Sequence, residues 1–298
     1  MTNRKLITFD WALKKLLRSK ANFGILEGFL SELLRDDIHI LEVLDAESNK
    51  DDACDKFNRV DVKVRNAKGE LLLIEVQYER ELDYLQRILY ATSRTVVEQM
   101  REGAPYGDLV KVISVNILYF NLGEGEDYVY RGRTHFRGLH KDDELRLSPQ
   151  QRLLFPGREQ SWEVFPEYFL IEVNRFDDVA RDTLDEWIYF LKNEEIKDGF
   201  SARGLAEAKQ KLDVMKLPAD ERRAYQRYLD DLSYQASMVE SSYGIGRKEG
   251  RAEGREEGRE EGREEARVSM AKALKENGVA IGTIAEASGL TVEEIERL

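Results

Sequence analysis

Cysteine is nearly absent from this chain: Cys54 stands alone among 298 residues. One thiol closes no disulfide, so the fold has to rest on packing, and a reducing, cytoplasmic setting is expected. Histidine is scarce as well. His39, His135 and His140 are scattered, and with a single cysteine they offer no zinc-ligand spacing. No apolar run approaches the length that crosses a bilayer, which leads us to expect a soluble protein without a membrane partner. The opening Met1–Asp10 lacks the charged-then-apolar pattern of an export signal. No glycine-rich loop follows a strand as a phosphate cradle would, so a nucleotide cofactor is not expected. Positive charge is also in deficit. A formal charge of −12 argues against wholesale coating of nucleic acid and confines any DNA contact to a local patch.

What is present is periodicity, over a length with room for one large domain or two modest ones. Phe9, Leu13, Leu16 and Leu17 recur at helical spacing behind Thr8, a plausible cap, and Phe23–Leu34 repeats the pattern. Residues 38–46 read as a strand, and Asp51, Asp52 and Asp55 as a polar loop. Residues 58–65 and 70–77 read as two further strands. Leu82, Leu85, Ile88, Leu89, Val96 and Met100 form a helical stripe ending at Gly103. Residues 110–120 read as a strand buried on both faces. Strands at 128–137 and 168–173 follow, and helices run from about Val179 past Tyr234. The expected organisation is an α/β core over residues 1–200, a helical extension over 201–245, a Gly/Arg/Glu repeat over 246–265 and a small helical module over 266–298.

The chemistry is carried by the strand pair around Ala67-Lys68-Gly69. A three-residue hairpin loop ends in a left-handed residue, a place suited to Gly69. If Asn66 pairs with Glu70, paired positions sum to 136, Asp61 falls opposite Glu75 and Arg59 opposite Gln77. Val60, Val62 and Val64 then share one face with Leu72, Ile74 and Val76, leaving Asp61, Glu75 and Gln77 on the other. Opposed carboxylates repel, and a cation between them relieves the repulsion; an all-oxygen donor set suits Mg²⁺ or Mn²⁺. The alternative is a wet face neutralised by Lys63 and Arg59, and a one-residue slip would separate the pair.

Asn58-Arg-Val-Asp-Val-Lys-Val64, a turn, then Leu73-Ile-Glu-Val-Gln77 resembles the PD-(D/E)XK nuclease superfamily, and within it the bacterial Rpn group of recombination-promoting nucleases and transposases. The opening Asp10-Trp-Ala-Leu-Lys14, Arg87 and Tyr90, Trp187-Ile-Tyr-Phe-Leu-Lys192 and the tail with glycine at every fourth position extend the likeness over most of the chain. It implies a restriction-endonuclease-like core, with a mixed central sheet flanked by helices and a helical C-terminal extension. It also implies Asp61 and Glu75 as metal ligands, and Gln77 where the superfamily places a catalytic lysine. Glutamine carries no charge and is neither acid nor base near neutral pH, so it can only orient by hydrogen bonds. Asp10 is either a third acidic group of the site or an ordinary first-turn acid that complements the helix dipole.

Two basic lines stand out. Arg131, Arg133 and Arg137 alternate along the strand expected over 128–137, to contact DNA phosphates or to guard a sheet edge. Arg87, Tyr90 and Arg94 follow the acidic pair at helical spacing, to position a DNA backbone or simply as a solvated helix face. Gly246, Gly250, Gly254, Gly258 and Gly262 recur every four residues with Arg after each, which reads as an exposed or self-associating helix, or as a linker. The last module looks like a helix-turn-helix, but its second helix presents Glu293, Glu294 and Glu296, which suits packing or oligomerisation and not base reading. The expected function is a Mg²⁺- or Mn²⁺-dependent DNA endonuclease in recombination or mobile-element processes, homo-oligomeric through its tail. The rival is a catalytically weak scaffold on the same fold that binds DNA or protein.

Overall fold

The computed structural model describes residues 6–44, 60–100 and 103–298, in two compact units, Met1–Asp230 and Asp231–Leu298. Asp51, Asp52, Cys54, Asp55, the final residues of the strand expected over 38–46, and Arg59 with its expected partnership to Gln77 lie outside the described residues.

The first unit opens with α1 (Phe9–Lys15), whose N-cap Thr8 accepts a hydrogen bond from the Trp11 N–H, and α2 (Phe23–Leu34). Then come β1 (Ile40–Leu44), β2 (Val62–Asn66), β3 (Leu71–Gln77), α3 (Tyr84–Val97), β4 (Val112–Leu118), β5 (Val129–Gly132), α4 (Pro149–Leu154), β6 (Glu167–Glu172), α5 (Thr183–Asn193) and α6 (Leu205–Lys211). The sheet runs β1-β2-β3-β4-β6-β5. β1, β2 and β3 form an antiparallel meander, β3, β4 and β6 run parallel, and β5 closes the edge antiparallel to β6. This is a mixed central sheet flanked by helices, the architecture that the resemblance implies. β4 is buried along its whole length, as a central parallel strand must be.

The hairpin register is the expected one. Val62 pairs with Ile74, Lys63 with Leu73 and Val64 with Leu72, and Gly69 takes φ 80° in the turn. One sheet face, with Val62, Val64, Leu72, Ile74, Val115 and Phe169, packs against α1, α2 and α5, where Phe9, Phe29, Trp187 and Phe190 meet edge to face. Gly28 permits the close approach of α2 to the chain before α6, because a Cβ there would stand 2.2 Å from the Arg203 carbonyl oxygen. The other face, with Leu71, Leu73 and Val112, packs on Ala91 of α3.

Four sequence expectations need correction. Val60 packs with Leu71 and Leu73, not with Val62, because the chain bends at Asp61. The stripe on α3 is rotated: Tyr84, Ile88, Ala91, Thr92 and Thr95 are buried, Leu82, Leu85 and Leu89 are exposed, and the helix ends at Val97, short of Gly103. Small residues at 91, 92 and 95 allow the helix to lie close to the sheet. The strand expected over 128–137 stops at Gly132, since residues 136–145 hydrogen-bond among themselves (Leu145 N–H to Phe136 O, 2.9 Å; Gly138 N–H to Asp143 O, 2.8 Å). Finally, the packed core does not end at residue 200. Ala202, Leu205, Ala208, Leu212, Leu217 and Tyr225 are buried in the main cluster, and the Ile7 N–H donates to Leu212 O.

A long helix, α7 (Ala219–Glu276), contains the whole glycine repeat, and around Gly246, Gly250, Gly254, Gly258 and Gly262 an added Cβ would meet open space. In the second unit α8 (Ile281–Ser288) and α9 (Val292–Arg297) enclose a small cluster of Ala271, Ile284, Leu290 and Ile295. Thr291 and Glu294 form the expected capping box.

Candidate active site

Three elements converge at the C-terminal end of β3. Because the chain bends at Asp61, the β2–β3 ladder ends at Val62–Ile74, and the next N–H of β3 on that side, that of Val76, donates instead to the Asp61 carboxylate (2.7 Å). Asp61 therefore sits beside β3 as a side-chain extension of the ladder, with Glu75 on the neighbouring strand position. Glu75 is in register with Asn116 of β4 and is buried, 5 % exposed. Asn116 accepts from the Tyr84 hydroxyl (3.2 Å) and donates to Ser114 and to Phe169 O, so the floor beside Glu75 is a closed polar network.

α1 supplies the third side. Asp10 is fully buried, and Lys14 one turn later bridges it to Asp61, with Nζ 2.7 Å from Asp10 Oδ1 and 3.3 Å from Asp61 Oδ1. The Tyr228 hydroxyl donates to the other oxygen of Asp10. From α3, Arg87 reaches Glu75 and Glu81, at 2.5 Å each. The Gln77 amide donates to Glu79 O (3.2 Å) and to Glu81 (3.0 Å), so it braces the turn that carries Glu81. The cation at the Asp61 carboxylate is thus Lys14, not a residue of β3, while Arg18 donates to the Asp61 backbone carbonyl (2.7 Å). Lys63, which sequence reasoning placed near the acids, pairs with Glu98.

Electrostatics follow from the burial. Desolvation pushes the Glu75 carboxyl up to about 7, against the pull of Arg87 and with a push from Asp61. Burial raises Asp61 also, in spite of Lys14. On Lys14 burial acts downward, but Asp61 and Asp10 outweigh it and the ammonium is held more firmly than usual. Asp10, Asp61, Glu75 and Glu81 meet side-chain cations in Lys14 and Arg87, leaving an excess of two negative charges among these groups.

Among the described residues no three acidic, histidine or cysteine side chains gather as a ready metal cage, and Lys14 and Arg87 stand against the carboxylates. The donor set nevertheless fits a hard divalent cation: it is all oxygen, and its four carboxylates meet only the two cations Lys14 and Arg87. Asp61 and Glu75 are the residues that could hold such an ion.

The sequence-derived candidates divide. Asp10, Asp61, Glu75, Gln77 and Arg87 come together. Tyr90 is exposed on α3, and Arg94 bonds Glu98 farther along the same helix. Arg131 and Arg133 turn onto Glu167 on the opposite sheet face, and Arg137 pairs with Asp142, so the three form no continuous free stripe. Sequence reasoning missed the roles of Lys14, Glu81 and Tyr228. The Asp10–Lys14 spacing of one helical turn was a usable signal for the first; nothing local marks Tyr228, more than two hundred residues from Asp10.

Residues 7–148 match the family model of the PD-(D/E)XK nuclease family transposase. This segment belongs to that family. No curated protein and no solved structure matches the chain. The PD-(D/E)XK segment contains the whole acidic cluster except Tyr228, and no helix among the described residues is long and apolar enough to cross a membrane.

Proposed function

We propose that the protein is a Mg²⁺- or Mn²⁺-dependent DNA endonuclease in which Lys14 supplies the positive charge that Gln77 cannot. The carrying observation is the placement of the Lys14 ammonium between Asp10 and Asp61, at the end of β3 beside Glu75. A divalent cation held by Asp61 and Glu75 would supply Lewis-acid stabilisation of the phosphoryl oxygens and a water of lowered pKa. Asp61 is fixed for its role by the Val76 N–H, and Glu75 by its place on a central strand. Lys14 is 41 % exposed, so its ammonium can meet a phosphate while Asp10, paired with that ammonium, holds it in place and keeps it charged. Gln77 holds Glu81, which shares Arg87 with Glu75. Tyr90 and Arg94 are the DNA-positioning candidates on the same helix. The compartment we expect is the cytoplasm, the setting recombination or transposition, and the assembly a homo-oligomer through the tail.

Plasmid nicking with Mg²⁺, Mn²⁺ or EDTA tests this directly. Wild type should nick only with a divalent ion, and Asp61→Ala and Glu75→Ala should abolish the activity while keeping the fold. Undiminished nicking in both variants would remove the site. A second reading, a scaffold that binds DNA or protein on a nuclease fold, is favoured by Arg87, which already occupies Glu75. Calorimetry separates the two readings: a scaffold of this kind takes up no Mg²⁺ or Mn²⁺ at Asp61 and Glu75.

A further inference from the structure

A second charged cluster lies on the other sheet face, at the N-terminal ends of β4 and β6. It lines a recess of about 440 Å³, within the range of small-molecule sites. Its floor is Glu167, 2 % exposed, whose two oxygens are shared by three cations. Lys111 Nζ approaches Oε2 at 2.5 Å, while Arg131 and Arg133 both reach Oε1, the latter at 2.9 Å. A carboxylate buried among three cations leaves two positive charges unbalanced on the floor. Two further cations at the recess, Lys68 and Arg158, are matched one for one by Asp36 and Glu70 and add nothing to the surplus. Glu163 is turned onto the backbone N–H groups of Glu159 and Gln160 (2.7 Å each), and with it counted the whole recess keeps a surplus of one.

The donors are as telling as the charge. Among the described residues both arginines bond Glu167 through Nε alone, and their four terminal Nη groups make no hydrogen bond to those residues. The Arg133 guanidinium is 3.5 Å from the centroid of Trp162, and Arg131 stands over Phe169 at 5.2 Å, so aromatic rings fix the planes of both forks. Two oriented guanidinium forks, a buried ammonium behind them and a net positive floor make up a receptor for a multi-oxygen anion. An internal phosphodiester carries one negative charge on a convex backbone. A phosphate monoester carries close to two and can enter a recess.

We propose that this recess binds a phosphate monoester group, presented either by a small phosphorylated molecule or by the 5′-phosphate end of a DNA strand. The site is independent of the acidic cluster, because no residue is shared and the strands present the two groups on opposite faces.

Isothermal titration calorimetry of the full chain in EDTA tests the proposal without any cleavage. Inorganic phosphate and deoxyadenosine monophosphate should bind, and deoxyadenosine should not. Arg131→Gln with Arg133→Gln should weaken monophosphate binding at least about tenfold, and Asp61→Ala should leave it unchanged. Because the double variant removes two partners of a buried carboxylate, Arg133→Lys is the companion. It keeps a charge for Glu167 and removes the fork, so binding should fall in a protein whose melting temperature is nearly retained. A 12-nucleotide strand with and without a 5′-phosphate separates the sources. Binding only of the phosphorylated strand assigns a DNA end, and binding only of the mononucleotide assigns a small molecule. No heat from any phosphate, equal binding of deoxyadenosine, binding that depends on Asp61, or an Arg133→Lys variant with wild-type affinity would each overturn the proposal.

Discussion

The parallel part of the sheet carries two charge clusters of opposite sign, each built around a buried carboxylate. At the C-terminal end of β3, Asp10, Asp61, Glu75 and Glu81 outnumber Lys14 and Arg87; at the N-terminal ends of β4 and β6, Lys111, Arg131 and Arg133 outnumber Glu167. The sign of the surplus decides what each can recruit, a cation at one end and an anion at the other. It also decides what each carboxylate does for stability. Glu167 is the counter-ion its cluster requires, whereas Glu75 belongs to a cluster with two acids more than its cations neutralise. That contrast can be broken at several points.

The largest expected effect on stability is at Glu167. Glu167→Gln leaves Lys111, whose side chain is 8 % exposed, without its counter-charge, and breaking a buried pair from one side costs about 3–5 kcal/mol. Urea denaturation should show this loss at neutral pH. A change within about 0.5 kcal/mol, of surface-substitution size, would mean that the cluster is not buried as described.

Glu75 should behave in the opposite way. Its carboxyl is raised from 4.5 to about 7, so the folded protein holds this proton after the unfolded chain has released it. The associated stability is fully present below about pH 4.5 and is lost as pH rises to about 7, a decline of about 3 kcal/mol in EDTA. Asp61, also raised, adds to the decline in the same direction. Glu75→Gln should flatten most of the slope and be the more stable protein at pH 8, and Mg²⁺ should restore wild type at pH 8 but not the variant. Equal slopes in EDTA for the two proteins would show that Glu75 is not the acid responsible.

How much of this could be read from the chain depends on the range of the interactions. The hairpin register was legible, because Gly69 and the alternation of Val62, Val64, Leu72 and Ile74 are local and mutually consistent. The bend at Asp61 was not, since there a side chain takes the place of a backbone partner in the ladder, which no periodicity encodes. The rotation of α3 was hidden for a related reason. Burial of Tyr84 against Asn116 and the reach of Arg87 to Glu75 fix that helix face more strongly than its leucines do. Arg131 and Arg133 read as an outward stripe because their partner, Glu167, lies more than thirty residues away. Of the acidic site, Asp10, Asp61 and Glu75 were visible from spacing and resemblance, whereas the cation that serves them was visible only as the Lys14 one turn after Asp10.

A substitution pair sharpens the acidic side further. Lys14→Gln removes the charge at Asp61 and should slow divalent-dependent nicking about 10²-fold, as loss of one oriented electrostatic group does. Gln77→Ala loosens only the turn at Glu81 and should stay within about tenfold. Nicking that collapses in Gln77→Ala and survives in Lys14→Gln would return the role to β3.

A last test asks how far the acidic cluster extends along the chain. Tyr228 lies in α7, within the stretch that composition assigned to a helical extension, yet its hydroxyl donates to Asp10, and Tyr225, three residues earlier, accepts from the Thr8 N–H (3.1 Å). Tyr228→Phe deletes one hydrogen bond to a charged group while keeping the ring, a loss of about 1.5–3 kcal/mol. Asp10 would then depend on Lys14 alone, so the same variant should nick more slowly without losing its divalent requirement. A chain cut after Asp230 retains both tyrosines and should keep the melting temperature of the first unit, whereas a cut at residue 200 removes Leu205, Leu212, Leu217 and Tyr225 from the core and should not fold. If the cut at 200 gave a folded, cooperative protein, the tyrosine contacts would be ornamental to the core, and Asp10 would be held by α1 itself.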